Sequence, residues 1–143
     1  MSDAPGDDLF IQRSTDLDID IEALWTLLST AEGWSWWLVD HAEIDIAPDA
    51  IGTATIEGVE RAVRIESVVP GHGIGFTWWD RRDPSTASYV QLDIVELPHG
   101  RSHLDITERL VGATTATSCS VASKWDVALV SLWMLTLPLL VMA

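Results

Sequence analysis

The spacing of hydrophobic and polar residues changes along the chain and predicts strands and helices in a definite order. Residues 9–17 alternate between apolar and polar side chains, as a half-buried strand does. Apolar residues recur at helical spacing over residues 21–28, and Asp18 or Asp20 would cap this predicted helix by accepting the free N–H groups of its first turn. A second short helix is expected over residues 31–37.

The middle of the chain has a period of two, which is typical of strands with one buried face. Turn residues at 70–73 (Pro-Gly-His-Gly) and 98–100 (Pro-His-Gly) separate neighbouring strands, and a polar loop is expected at residues 81–86. These short connections favour antiparallel pairing in chain order. The strands predicted here cover residues 42–46, 52–57, 61–69, 74–80, 90–95 and 103–108.

The last segment is predicted to be a helix that is apolar on almost every side. It covers residues 118–137, follows a connector of small residues at 111–117, and carries no charge after Asp126. Such a helix has to be enclosed, either by the rest of the protein or by lipid. One helical face is expected to seat it against the strands, and this face carries Trp125, Leu129, Leu132, Trp133 and Thr136.

The uncharged run at residues 127–143 is short for a membrane span. It falls below the ~20 residues that a spanning helix needs, and Lys124 is its only nearby basic residue. The predicted strands would also lose their core if this helix left them. We therefore expect no membrane span, and we expect residues 138–143 to cover an apolar patch, for example in a homodimer.

The order strand, two short helices, six strands and one long helix indicates the fold class. It predicts an α+β domain in which a curved antiparallel sheet of six to seven strands surrounds the C-terminal helix. Residues 1–8 are expected to be a disordered leader and residues 9–143 a single domain.

The composition narrows the classes of partner. The 143 residues include 22 acidic and 8 basic ones, and the resulting net charge of −14 repels nucleic acid and anionic membrane surfaces. Cys119 is the one cysteine, which excludes an internal disulfide and fits a reducing cytoplasm, and residues 1–8 lack the features of a signal peptide. Eight tryptophans supply large side chains that can surround a helix or a cavity.

Three segments together resemble a known family. They are residues 19–25 with 32–37 (Glu-Gly-Trp-Ser-Trp-Trp), residues 68–71 leading into 75–78 (Gly-Phe-Thr-Trp), and residues 100–108 followed by Trp125, Leu129 and Leu132. They are similar to the START-like (SRPBCC) superfamily, and in particular to its branch named after the activator of the Hsp90 ATPase and described as polyketide cyclase-like. The resemblance spans residues 10–137.

The resemblance implies the helix-grip fold of START and Bet v 1-like proteins. It also implies a deep, mostly apolar pocket between the sheet and the long helix, for a lipid, a polyketide, an aromatic or a similar molecule. Members include binding proteins, cyclases, hydratases and a co-chaperone, and the fold alone does not choose among them. Two features depart from the family pattern: Lys124 stands where Gly commonly precedes Trp125, and residues 138–143 replace an acidic or arginine-rich tail.

A pocket of this kind would be lined by the inward faces of the strands and by one face of the helix. Alternatively, the same side chains simply fill a core, since the tryptophans are large enough to close a cavity. The candidate lining residues are Trp37, Phe76, Trp78, Leu92, Ile106, Val127, Val130 and Met134.

Two ionisable residues, Arg13 and Glu108, share the inward phase of their strands. A buried carboxylate needs a partner, so Arg13 and Glu108 would form a ligand-orienting pair, or Glu108 would act as a general acid or base. Glu108 is therefore the best catalytic candidate, and both residues are candidates for ligand binding. The alternative is that both lie in solvent near the ends of their strands.

Other chemistry has little support in the sequence. His99 and His103 lie on either side of a turn and His72 lies in another turn, so no metal site is expected. Residues 118–120 (Ser-Cys-Ser) have no histidine nearby to activate a nucleophile. No phosphate loop or dinucleotide motif is present, so no cofactor is expected.

The sequence therefore predicts a cytoplasmic helix-grip protein that binds a small hydrophobic ligand, without nucleic acid and without a membrane span. The enzyme alternative is a cyclase or hydratase that uses Glu108. A further alternative is a co-chaperone-like module that contacts another protein.

Overall fold

The structure is a computed structural model that describes residues 10–110 and 115–135, with side chains for residues 11–110 and 125–135. The expectations for residues 1–8 and 138–143 concern parts of the chain outside the described residues. The elements in chain order are β1 (Phe10–Leu17), α1 (Ile21–Ser29), α2 (Ala31–Trp37), β2 (His41–Glu43), β3 (Ile51–Ile56), β4 (Val59–Val69), β5 (Gly73–Asp80), β6 (Asp83–Leu97), β7 (Arg101–Leu110) and α3 (Thr115–Leu135).

The strands form one seven-stranded antiparallel sheet in the order β1-β7-β6-β5-β4-β3-β2. After β1, the chain crosses through α1 and α2 to β2 at the opposite edge, and then returns strand by strand to β7, which pairs with β1. α3 packs against β1 and α2. The predicted α+β class, the sheet that surrounds a C-terminal helix, and the two short helices after the first strand are confirmed.

The two short helices begin where their capping side chains predict. Asp20, rather than Asp18, accepts a hydrogen bond from the backbone N–H of Ala23 at 2.8 Å, and Thr30 accepts one from Gly33 at 2.9 Å. Gly33 also lets α2 pack tightly on α1, because a Cβ atom there would lie 2.7 Å from the backbone of Leu27. These local features fix how α2 is presented to α3.

Two of the predicted connections are shorter in the structure, and the strand predicted at residues 42–46 ends at Glu43. The loop expected at residues 81–86 is only a tight turn at Arg81 and Arg82, because β6 already begins at Asp83. Polar side chains that accept backbone hydrogen bonds support this hairpin end: Thr86 Oγ1 accepts from the backbone N–H of Asp80 at 2.8 Å. The connector expected at 111–117 is also shorter, since α3 begins at Thr115.

The core lies between one face of the sheet and the three helices. The buried strand residues follow the predicted alternation, and α3 contacts this core through Trp125, Ala128 and Leu132, which are at most 4% exposed. Their spacing of three and four residues is that of one helical face. α3 is therefore seated on the sheet along a single stripe.

The expectation that the last helix is enclosed on all sides is wrong for its described side chains. Val127, Val130, Trp133 and Met134 are 54–63% exposed. The physical reason is that the sheet covers α3 from one side only, while α2 and β1 contact its flanks. Within the described residues, no helix is both long and apolar enough to cross a membrane.

Candidate functional site

The most unusual side chain in the core is the fully buried carboxylate of Glu108 on β7. The indole Nε1 of Trp78 donates to its Oε2 at 2.9 Å, and the indole Nε1 of Trp125 donates to its Oε1 at 2.6 Å. The hydroxyl of Ser88 also donates to Oε2. Donors from β5, β6 and α3 therefore meet on one carboxylate, which ties the helix to the sheet.

The strand pattern places these groups together. Trp78 lies opposite Ser88 in the β5–β6 register, and Glu108 lies on the neighbouring strand with the same inward phase. A charged group can be buried only where hydrogen bonds replace its hydration. We infer that tryptophan is used here because it supplies that donor together with a large apolar surface.

Arg61 on β4 is the cation associated with this cluster. Its guanidinium carbon lies 5.2 Å from the ring centroid of Trp78, which is the geometry of a cation–π contact. Burial lowers the pKa of the Arg61 guanidinium below its usual value, and the negative charges of Glu108 and Asp80 oppose this shift. Glu108 thus has a nearby positive charge in addition to its hydrogen bonds.

The predicted pair of Arg13 and Glu108 does not form. The Arg13 Nε atom lies 2.8 Å from Oδ1 of Asp126 on α3, in a partly exposed ion pair. The reason is that β1 is an edge strand beside α3, so Arg13 reaches the surface although it has the inward phase. Sequence reasoning missed Arg61, although its phase on the predicted strand 61–69 was the same as that of Val63.

Five predicted lining residues are core residues at 0–3% exposure, namely Trp37, Phe76, Trp78, Leu92 and Ile106. Three of them belong to a continuous aromatic cluster with Trp34 and Trp125. Neighbouring ring centroids in this cluster are 4.8–6.4 Å apart, as in favourable aromatic pairs. These side chains occupy the space between sheet and helix that the sequence assigned to a pocket.

The three predicted lining residues of the helix, Val127, Val130 and Met134, lie on the solvent side of α3 and not against the sheet. They are on the opposite side of the helix from the buried stripe that begins at Trp125. Val127 nevertheless lines a surface groove, and Trp37 lines the same groove. The structure therefore places two of the predicted lining residues together, but at another location.

This groove, which we call the α2–α3 groove, lies between the C-terminal end of α2, the end of β3 and α3. It encloses about 420 Å³. Its most exposed aromatic side chain is Trp36, at 56% exposure. Its lining consists of Ser35, Trp36, Trp37, Leu38, Val39, Asp40, Ile56, Glu57, Val127, Ala128 and Ser131.

The tight turn between β3 and β4 closes one end of the α2–α3 groove. Glu57 and Gly58 have φ angles of 52° and 81°, the left-handed conformation that two-residue hairpin turns require. The backbone N–H of Glu57 donates to Oδ2 of Asp40 at 2.8 Å. This bond holds two carboxylate-bearing residues at the same end of the groove.

A second groove shares Trp36 with the first. It encloses about 370 Å³ and its surface is almost wholly apolar. We call it the α1–α3 groove, and it is lined by Ile19, Ala23, Thr26, Leu27, Trp36 and Leu135.

The histidines considered for a metal site are used differently. His103 Nδ1 lies 2.5 Å from Asp16 and its Nε2 lies 3.2 Å from Asp105, and the bond to Asp16 raises the pKa of His103. Within the described residues there is no group of three or more His, Cys, Asp or Glu side chains that could hold a metal ion.

The sheet order and the helix packed across it define a helix-grip domain. No protein-family model matches the chain, and no curated protein sequence matches it. Solved structures match it well: MLL2253 from Mesorhizobium loti has a TM-score of 0.78 at 17% identity, over 88% of this chain and 95% of that one.

Two further solved structures are also similar to the chain. CalU16 from Micromonospora echinospora has a TM-score of 0.71 at 17% identity, over 93% of this chain and 79% of that one. The Aha1 dimer from Colwellia psychrerythraea has a TM-score of 0.75 at 14% identity, over 89% and 95% of the two chains. The chain therefore shares its fold with these proteins, and this fold is the helix-grip fold that the sequence predicts.

Proposed function

We propose that this protein binds a small, largely apolar molecule, and that the molecule lies in the α2–α3 groove. The volume of about 420 Å³ falls within the roughly 300–1,000 Å³ of small-molecule sites. The walls of the groove combine Trp36, Trp37 and Val127 with polar groups, as small-molecule sites commonly do. The observation that carries the proposal is the exposed indole of Trp36 at this concave space.

The location differs from the one that the sequence suggested. The inward side chains of the sheet, such as Phe76 and Trp78, pack against each other and against Trp125. Among the described side chains, a ligand between the sheet and residues 125–135 of α3 would have to displace these rings and the hydrogen bonds to Glu108. The α2–α3 groove requires no such rearrangement, which favours it as the site.

Replacing Trp36 by alanine is expected to weaken the binding of a neutral apolar probe at least about tenfold, as buried aromatic anchors do when they are truncated. The probe is 1-pyrenemethanol, which accepts energy from excited tryptophan, so binding is measured as pyrene emission on tryptophan excitation. The matched control is Trp133→Ala, because Trp133 is 54% exposed on α3, compared with 56% for Trp36, but does not line the groove. Equal losses in both variants, or no binding to the wild type, would remove the proposal.

A second candidate function is self-association through the outward face of α3. The observation that favours it is the row of exposed apolar side chains at Val127, Val130 and Met134. Exposed apolar patches commonly mark interaction sites. One structural neighbour, Aha1 from Colwellia psychrerythraea, is described as a dimer. A homodimer would cover this face by an isologous contact, in which the same helix meets its own copy.

Analytical ultracentrifugation tests this second candidate. Wild-type protein is expected to sediment as a dimer, and Val130→Glu as a monomer, because the new charge would be buried in the contact. Val95→Glu is the matched control, since Val95 lies on β6 and is 55% exposed, compared with 58% for Val130. A wild-type monomer at high concentration would contradict the candidate.

Catalysis is less favoured than binding. The described hydrogen bonds engage both oxygens of Glu108 with core side chains, which favours a structural role over that of a cyclase or hydratase acid or base. We also propose that the protein acts in the cytoplasm. Cys119 is the one cysteine of the sequence, so the chain forms no internal disulfide, as is usual for proteins of this reducing compartment.

A further inference from the structure

We infer that the ligand of the α2–α3 groove is a small organic cation, in which a protonated amine is attached to an apolar body. This inference rests on the proposed binding function and adds the chemical class of the ligand. It follows from the charge of the groove together with its exposed indole.

Among the described residues, the charges that line the groove are negative. Asp40 and Glu57 are the ionisable residues that line it, and no Lys, Arg or His is among the described lining residues. A groove with carboxylates and no cation favours positively charged ligands and disfavours acids.

Within residues 11–110 and 125–135, whose side chains are described, Asp40 and Glu57 form no ion pair. In the described part of the chain, the ion pairs of the arginines and histidines involve other acidic residues, and none includes Asp40 or Glu57. The hydrogen bond from the Glu57 backbone to Asp40 occupies Oδ2 and holds both residues at one end of the groove. A ligand cation is therefore the partner that this end lacks.

The indoles add a second preference for a cation. The face of a tryptophan attracts an ammonium group, and this attraction is stronger for tryptophan than for the other aromatic residues. Trp36 and Trp37 line the same groove as the two carboxylates, so one site offers an amine both an indole and a carboxylate. The apolar body of the ligand would then lie along Val127 and Ile56.

The net charge of −14 also favours the binding of cations, and over a longer range, since it raises the concentration of any cation near the protein. This general attraction is separate from the local one, because it does not depend on Asp40 and Glu57 in particular. An experiment therefore has to separate the field of the whole protein from the groove.

Three probes with the same aromatic body make the test: 1-pyrenemethylamine, 1-pyrenemethanol and 1-pyrenecarboxylate. At low salt the amine is expected to bind about three- to tenfold more tightly than the alcohol, and the carboxylate most weakly, in line with pairs of exposed charges. The difference should shrink at about 1 M NaCl, where the screening length falls to about 3 Å.

The double variant Asp40→Asn, Glu57→Gln should bring the affinity ratio of amine to alcohol close to one. Asparagine keeps an oxygen that can accept the hydrogen bond from Glu57, so the turn is retained. The control, Asp45→Asn with Glu96→Gln, removes the same charge from exposed positions outside the groove, and it should keep most of the preference.

The possible failures are distinguishable. If the alcohol binds as tightly as the amine, the cation inference is overturned while the proposed binding function stands. If none of the three probes binds, the binding function fails and the inference with it. If the control variant loses the preference as fully as the groove variant does, the preference belongs to the field of the whole protein and not to Asp40 and Glu57.

Discussion

Replacing Glu108 by leucine is expected to lower the free energy of unfolding by about 3–5 kcal/mol, the cost of breaking a buried, hydrogen-bonded charge. The indole N–H groups of Trp78 and Trp125 and the hydroxyl of Ser88 would lose their acceptor in the core. The positive charge of Arg61 would lose a nearby negative one. Urea denaturation, followed by tryptophan fluorescence, measures the change.

Glu108→Gln separates a structural role from a catalytic one. Glutamine keeps one acceptor oxygen but directs an NH₂ group at donors, so we expect an intermediate loss of about 1–3 kcal/mol. Glu96→Gln, at an exposed position on β6, is the control and should change stability by less than about 0.5 kcal/mol. If Glu108 were instead the acid or base of a cyclase or hydratase, Glu108→Gln would leave the stability unchanged and abolish turnover.

Trp125→Ala is expected to lower the free energy of unfolding by about 3–5 kcal/mol, because it removes a large core side chain and leaves a cavity. The change also deletes the donor to Oε1 of Glu108 and the ring contacts with Trp37 and Trp78. The same measurement on Trp133→Ala provides a matched control on the same helix.

Replacing the exposed Trp133 should lower the free energy of unfolding by less than about 1 kcal/mol, since substitutions at the surface have small effects. Similar losses at Trp125 and Trp133 would mean that α3 is not seated along the stripe of Trp125, Ala128 and Leu132. That outcome would also remove the α2–α3 groove, whose shape depends on this orientation.

The strands and their order could be predicted because their side chains alternate with a clear period. Val90, Leu92, Ile94 and the polar residues between them leave one face to bury, and the short turns leave antiparallel pairing as the simple solution. The polar residues 83–86 predict a loop, but they form the start of β6, because hydrogen bonds to their side chains stabilise the strand there.

The orientation of the last helix could not be predicted in the same way. A helix with apolar residues on all sides gives no face preference, so Val127 and Val130 were as reasonable inward as Ala128. The structure resolves the choice through Trp125, whose indole reaches Glu108. That partner lies on a strand 17 residues earlier and is not visible in the local pattern.

The contrast between Arg13 and Arg61 has a related cause. Both have the inward phase of their strands, and phase defines a face but not a depth. Arg13 lies on the edge strand β1 beside α3, whereas Arg61 lies on β4 inside the sheet, where it reaches Trp78. The position of each arginine relative to the sheet edge and to α3 decides between them, and the alternation within a strand does not contain this position. The α2–α3 groove depends on tertiary packing in the same way.

The claim that a small apolar molecule binds in the α2–α3 groove is tested most directly by the indole N–H signals of the tryptophans in a ¹⁵N-edited NMR titration. The probe is 1-naphthalenemethanol, a more soluble neutral aromatic alcohol, and single Trp→Phe variants assign the signals. We expect the signals of Trp36 and Trp37 to shift with a common saturation curve, while those of Trp78 and Trp125 stay in place. Largest shifts at Trp78 and Trp125 would place the ligand between sheet and helix, and no shift at any indole would leave the groove without a ligand; either result would contradict the account.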